Sequence, residues 1–215
     1  MQRRPLVIAV YEPLWFINVM RVLRERDIIF HHYYSSDEVP YGSVVYTDHE
    51  YFLKELSNRN DLLIIYDPSR DCRKLEEAVL LCKSLSNFYS EVVIGVDPGK
   101  VISYAIVGDG LFITYGEGSI DDLNNSIEYV KRCLPFKDLL IRVGSGRNGL
   151  ELALALKRLF NTRVELVSEE ETTPRWSIKE EINLLSRRLK GLKPYRFKNI
   201  YAAYRIAMKN GVEVV

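Results

Sequence analysis

The stretch EVVIGVDPGKVISYAIVGDGLFITYGE, residues 91–117, decides how this chain is read. It holds three apolar runs in close succession: Glu91–Val96, Lys100–Val107 and Leu111–Tyr115. The first is rich in β-branched residues and has no polar interruption, as a buried strand requires. Gly108-Asp109-Gly110 divides the second run from the third. Asp-Gly between apolar runs signals a type I′ hairpin, because both central residues of that turn need positive φ. The first run ends in Asp97-Pro98-Gly99-Lys100. A carboxylate at the end of an apolar strand is costly to hold near a core without a partner. A divalent cation, or a phosphate carrying one, is a natural partner.

Downstream, Gly118-Ser119-Ile120-Asp121-Asp122 opens a helix that Pro135 stops after Leu134. Ser119 stands three residues before Asp122, close to a capping box. Asp138–Val143 reads as a buried strand, and Gly144-Ser145-Gly146-Arg147-Asn148-Gly149 leads from it into a helix over Leu150–Phe160. Glycines between a strand and a helix N-terminus leave N–H groups pointing outward and suit an anion. Arg147 adds a guanidinium fork that fits phosphate. The same residues equally serve a tight turn with no ligand. A strand over Arg163–Val167 is followed by Ser168-Glu169-Glu170-Glu171-Thr172-Thr173-Pro174. Three glutamates in a row at a strand end repel one another unless they are solvated or share a cation. Two helices close the chain. The first carries Ile178, Ile182, Leu185 and Leu189 on one stripe, and the second runs from about Phe197 to Lys209 with Ile200, Ala203 and Ile206 on its packing face.

Upstream, strands alternate with helices. Strands are expected at Leu6–Val10, Ile28–Tyr34, Val44–Tyr46 and Leu62–Tyr66, and helices at Leu14–Arg26, His49–Leu56 and Asp71–Phe88, with Asp48 as the N-cap of the middle one. That alternation implies a parallel sheet, a small flavodoxin-like or receiver-like α/β unit. The chain therefore divides into a small α/β domain over residues 1–89 and a second domain over residues 90–215, with the long helix leading straight into the strand at Glu91. Glu12 and Asp67 follow strands of the first unit and are read as caps of helices or turns. Of the adjacent histidines His31 and His32, only one can face a given site, since neighbours in a strand point to opposite sides.

The GVDPGK motif followed by an antiparallel hairpin resembles the first strands of the ribonuclease H-like fold, in the RuvC/YqgF group of resolvase-like nucleases. The resemblance covers roughly residues 91–210. It implies a mixed sheet in which antiparallel first strands are followed by parallel strands and helices. It implies that Asp97 is a metal-binding catalytic carboxylate, with Mg2+ or Mn2+ as cofactor. The group's Asp-Glu-Arg-x-Thr-Thr motif falls on Ser168–Thr173, so that Glu169 becomes the second catalytic and metal-binding residue. Its last acidic position, in Asp-x-x-Ala-Ala, falls on Asn199 of Asn199-Ile200-Tyr201-Ala202-Ala203. An amide there supplies only a neutral oxygen, and Mg2+ sites depend on carboxylates. The resemblance thus implies either a metal-dependent nuclease acting on structured DNA or RNA, or a nucleic-acid-binding module that kept the fold and lost the chemistry. An actin-like or kinase-like nucleotide site at the same motif is a third reading, weakened by the lack of a duplicated second domain.

Charge is segregated. Residues 1–90 carry 11 Lys/Arg and 13 Asp/Glu, whereas residues 175–215 carry 10 Lys/Arg and 3 Asp/Glu. Arg187, Arg188, Lys190, Lys193, Arg196 and Lys198 cluster there, with Tyr195 and Phe197 between them. Basic residues interleaved with aromatics suit phosphate contacts and base stacking. Lys100 and Arg147 are expected to steady phosphates. No apolar run reaches the ~20 residues that span a bilayer, and the N-terminal run is too short for a signal peptide. A cytoplasmic protein is expected, and a homodimer is left open. Cys72, Cys82 and Cys133 have no CxxC spacing and are expected to be reduced.

Overall fold

The computed structural model describes residues 3–84, 86–146, 148–168 and 194–214. They form two compact units, one of residues up to Phe88 together with Tyr129–Pro135, the other of Tyr89–Glu128 and the residues from Phe136 onward.

In the first unit, strands β1 (Leu6–Ala9), β2 (His31–His32), β3 (Val44–Thr47) and β4 (Leu63–Tyr66) form a parallel sheet in the order β2-β1-β3-β4. Helices α1 (Pro13–Glu25), α2 (Glu50–Glu55) and α3 (Cys72–Lys83) join them. Leu6 and Ile8 pack with Val19, Leu23 and Leu75 of α1 and α3, while Val7 and Ala9 pack with Leu56 and Phe52 at α2. Alternate residues of one strand thus serve two cores, as period-two side chains must. Glu12 caps α1, its carboxylate accepting from the N–H groups of Leu14 and Trp15 at 3.1 and 2.6 Å. Asp67 accepts from the N–H of Asp71 at 3.0 Å. Both roles follow the sequence reading. Asp48 does not cap α2: that place belongs to His49, whose ring accepts from the N–H of Tyr51. Asp48 instead turns back to the N–H groups of Tyr11 and Glu12 at 2.7 and 3.2 Å and holds the loop after β1.

Two expectations are corrected here. Helix α3 ends at Lys83 and does not run into the next strand. The extended backbone of Ser84 breaks it, and the Ser84 and Ser86 hydroxyls bond nearby carbonyls, offering the chain an alternative to the helix. Cys72 and Cys133 are not reduced thiols. They form a disulfide with Cα atoms 5.1 Å apart, and only Cys82 is free and buried. Nothing local marks that pairing, since 61 residues separate the partners.

The second unit is built on β5 (Tyr89–Pro98), β6 (Ile102–Gly108), β7 (Leu111–Gly118), β8 (Phe136–Gly144), β9 (Arg163–Val167) and β10 (Val212–Glu213), in the order β10-β9-β8-β5-β6-β7. Strands β5, β6 and β7 are antiparallel neighbours, β8 and β9 run parallel to β5, and β10 closes the edge antiparallel to β9. Asp109 and Gly110 have φ of 46° and 77°, the paired positive values of the hairpin turn. Helix α4 (Ile120–Cys133) opens with the reciprocal box, the Ser119 N–H donating to Asp122 at 2.8 Å and the Asp122 N–H to Ser119 Oγ at 3.3 Å. Helix α5 (Gly149–Phe160) connects β8 to β9. Helix α6 (Pro194–Met208) lies on the sheet face of Val93, Ala105 and Leu140, burying Ile200, Tyr201, Ala203 and Ala207 there. Gly95 makes that approach possible. A methyl group at this residue would stand 2.2 Å from the Ala203 carbonyl oxygen and 2.5 Å from the Ala207 nitrogen.

Candidate functional site

Strand pairing sets the site. Asp97 of β5 is opposite Ser103 of β6, and Ser103 is opposite Glu117 of β7. Residues opposite one another share a face, and so do residues two apart along a strand. The row Asp97–Ser103–Glu117 therefore lies on the face that carries Gly95 and receives α6. Arg196 fixes which end of α6 meets the row, because its Nε donates to Glu117 Oε2 in an ion pair. Ser103 Oγ donates to the other oxygen of Glu117 at 3.4 Å. Asn199 is one helical turn before Ala203 and so lies toward the Asp97 end of α6. Asp97 and Asn199 are half-buried, and Ser103 is fully buried.

Glu117 was not anticipated. Counted from the Asp109-Gly110 turn in a regular ladder, Glu117 would stand opposite Ile102 and face the other side. A register shift between Ile106 and Val107 inserts one residue into β7, and Glu117 moves opposite Ser103. A bulge has no clear sequence mark here, yet it moves a carboxylate onto the site face.

The site is polar and held by an internal cation. Glu117 has an 8% exposed side chain and Arg196 a 43% exposed one, so the guanidinium reaches in from solvent to a nearly buried acid. Lys100, in the turn just beyond the Asp97 row, and Lys198, in the second turn of α6, are exposed. The N-terminus of α6 adds its positive partial charge at the same end of the sheet. Further along, Arg142 of β8 pairs with Glu165 at 2.9 Å and donates to the Ala207 carbonyl at 2.7 Å, tying the end of α6 to the sheet.

Among the described residues, no group of three His, Cys, Asp or Glu side chains is placed to hold a metal ion. Mg2+ asks for carboxylates around one octahedral centre. Here Asp97 has an amide-bearing helix above it, and Glu117 is engaged by Arg196, so the described donors do not fit that ion by themselves. Glu169, Arg147, Arg187, Arg188, Lys190 and Lys193 lie outside the described residues. In the first unit, Asp48 and Asp67 are committed to backbone N–H groups and to Arg70 and Tyr46.

The second unit has the ribonuclease H-like arrangement, three antiparallel strands followed by parallel ones, with a final helix laid across the first strand. No protein-family model matches the chain, and no curated protein sequence matches it. Among solved structures, it is similar to T. thermophilus RuvC in complex with a Holliday junction substrate, at 16% identity and a TM-score of 0.34, covering 58% of this chain and 99% of that one. A. aeolicus Argonaute is similar at 13% identity and a TM-score of 0.25, over 77% of this chain and 34% of its own. A Ppx/GppA family member from Aquifex aeolicus has 11% identity and a TM-score of 0.18, with 95% and 78% covered. At such TM-scores these likenesses add nothing to the topology read from the strands. No helix among the described residues is long and apolar enough to cross a membrane.

Proposed function

We propose that the protein binds structured nucleic acid through the Asp97 end of its ribonuclease H-like sheet, as a module that kept the fold of the RuvC/YqgF group without its metal chemistry. The observation that carries this reading is the Arg196–Glu117 ion pair beside Asn199. A two-metal nuclease needs several anionic ligands free for cations. This row instead spends one carboxylate on a guanidinium and carries an amide where the family motif has an acid. Lys100, Lys198 and the α6 N-terminus then present positive charge at one sheet end, where phosphates would be held. Arg147, Arg187, Arg188, Lys190 and Lys193 extend that charge in the sequence.

A second reading, a metal-dependent nuclease, is favoured by the position of Asp97 itself, at the tip of the central strand on the site face. It requires Glu169 or its neighbours Glu170 and Glu171 to join Asp97.

One experiment separates the two. The full chain is titrated with a branched DNA and a structured RNA at several salt concentrations, with and without Mg2+ or Mn2+. Binding that weakens steeply with salt, without cleavage, is expected. Replacing Lys100 and Lys198 together by Gln should lower the salt slope by about 2, since each lost phosphate contact removes about one unit. Metal-dependent cleavage abolished in Asp97→Ala would replace the first reading by the second. Absence of binding at low salt would overturn both.

A further inference from the structure

A cavity of about 280 Å3 opens at the carboxyl end of β1 in the first unit, where open α/β sheets receive ligands. Its walls come from both faces of the sheet. Phe16 of α1 and Ile8 belong to the core on one side, and Phe52 of α2 and Ala9 to the core on the other. Val10, after β1, and His32, Tyr33 and Tyr34, at and just beyond the end of β2, complete the lining. The His32 ring centroid lies 5.8 Å from Phe16, 5.4 Å from Phe30 and 6.5 Å from Tyr34, so aromatic neighbours orient the imidazole. Tyr34 is 74% exposed and stands at the mouth.

The lining selects a chemistry. No Lys, Arg, Asp or Glu contributes to it, so a phosphate or carboxylate finds no counter-charge inside. Aromatic faces favour a flat π-system, and imidazole offers one donor and one acceptor to a ring edge. The volume falls just short of the ~300 Å3 where sites for larger ligands begin, which limits the guest to one ring system with a small substituent. A neutral heterocycle with polar edges meets each condition, whereas a plain hydrocarbon leaves the imidazole unused.

We propose that this cavity binds a nucleobase, entering as a nucleoside with the sugar at the Tyr34 rim. The proposal stands on the first unit alone and does not depend on nucleic-acid binding at the Asp97 row. Free nucleosides test it. The full chain is titrated with adenosine, guanosine, cytidine and uridine by calorimetry and saturation-transfer NMR, with indole as the apolar control. At least one nucleoside should bind, more tightly than indole. Tyr34→Ala, at an exposed side chain, should weaken it about tenfold with the thermal midpoint unchanged, the usual loss for a removed stacking face. His32→Phe should keep indole binding and lose the nucleoside preference. Failure of every nucleoside to bind at millimolar concentration would overturn the proposal. So would equal binding of indole and nucleosides, or affinities untouched by both substitutions.

Discussion

Adding a single methyl group at Gly95 tests how tightly α6 is laid on the sheet. The Ala203 carbonyl and Ala207 nitrogen that the methyl would meet are backbone atoms and cannot rotate aside. Gly95→Ala should therefore destabilise the protein by about 1–3 kcal/mol, the range for overpacking, read as a lower urea midpoint. Gly110→Ala is the contrast. Nothing lies within 4 Å of the new methyl, and only the positive φ of 77° opposes it. About 1 kcal/mol is expected there, from left-handed backbone alone. Asp61 sets a pH dependence of the first unit. Its hydrogen bonds from Arg59 and from the Gly42 N–H hold its carboxyl well below the usual carboxylate range. A carboxylate whose pKa is lowered on folding contributes stability that is fully present above its unfolded value of about 3.9 and is lost as pH falls below it. Asp61→Asn should lower stability at neutral pH and flatten the decline on the acid side, measured by denaturation at stepped pH. Gly110 and Asp61 can be read from sequence as turn or loop residues, and Gly95 as a strand residue. That Gly95 answers to Ala203 cannot, since the two are far apart in the chain.

Among the elements, α6 and β7 meet through the Arg196–Glu117 ion pair and through the rings of Phe112 and Tyr204, 6.0 Å apart. Arg196→Ala leaves Glu117 nearly buried and without its guanidinium, while the Arg side chain is itself 43% exposed. A loss of about 1–2 kcal/mol is expected, between the values for exposed and buried pairs. Glu117→Gln in the same chain should recover much of it, and a double-mutant cycle in urea measures the coupling. Most elements were legible. The Asp-Gly turn, the Ser119–Asp122 box and the alternation of strands and helices in the first ninety residues are local signals, and each is present, though the strand expected over Ile28–Tyr34 is reduced to His31–His32. The misses have non-local causes. Strand β10 exists because Val212 and Glu213 find the free edge of β9, which their own two residues do not announce. Helix α3 is the local exception: it stops at the extended backbone of Ser84, whose hydroxyl bonds the Leu80 and Ser86 carbonyls.

For the whole molecule, the disulfide is a covalent cross-link that closes a separation of 61 residues. On the chain-entropy account, its loss should cost about 4 kcal/mol, seen as a lower denaturation midpoint in reductant. Thiol counting checks the bond independently. Burial pushes the Cys82 thiol up to about 12, so the native chain should label slowly, the unfolded chain at one cysteine, and the unfolded, reduced chain at all three. What the amino-acid order determined by itself is periodic and short-range: which runs are strands, which turns need positive φ, and that Asp97 ends an apolar strand. These follow from alternation, propensity and motif spacing, which act over a few residues. Only the tertiary structure decided that Glu117 faces the site, that Arg196 occupies it, that Cys72 meets Cys133, and that the exposed His32 borders a cavity with Phe16 and Phe52. Each depends on strand register or on the meeting of distant segments. A one-residue shift in register reverses the face of every later side chain without leaving a clear sign in the local sequence.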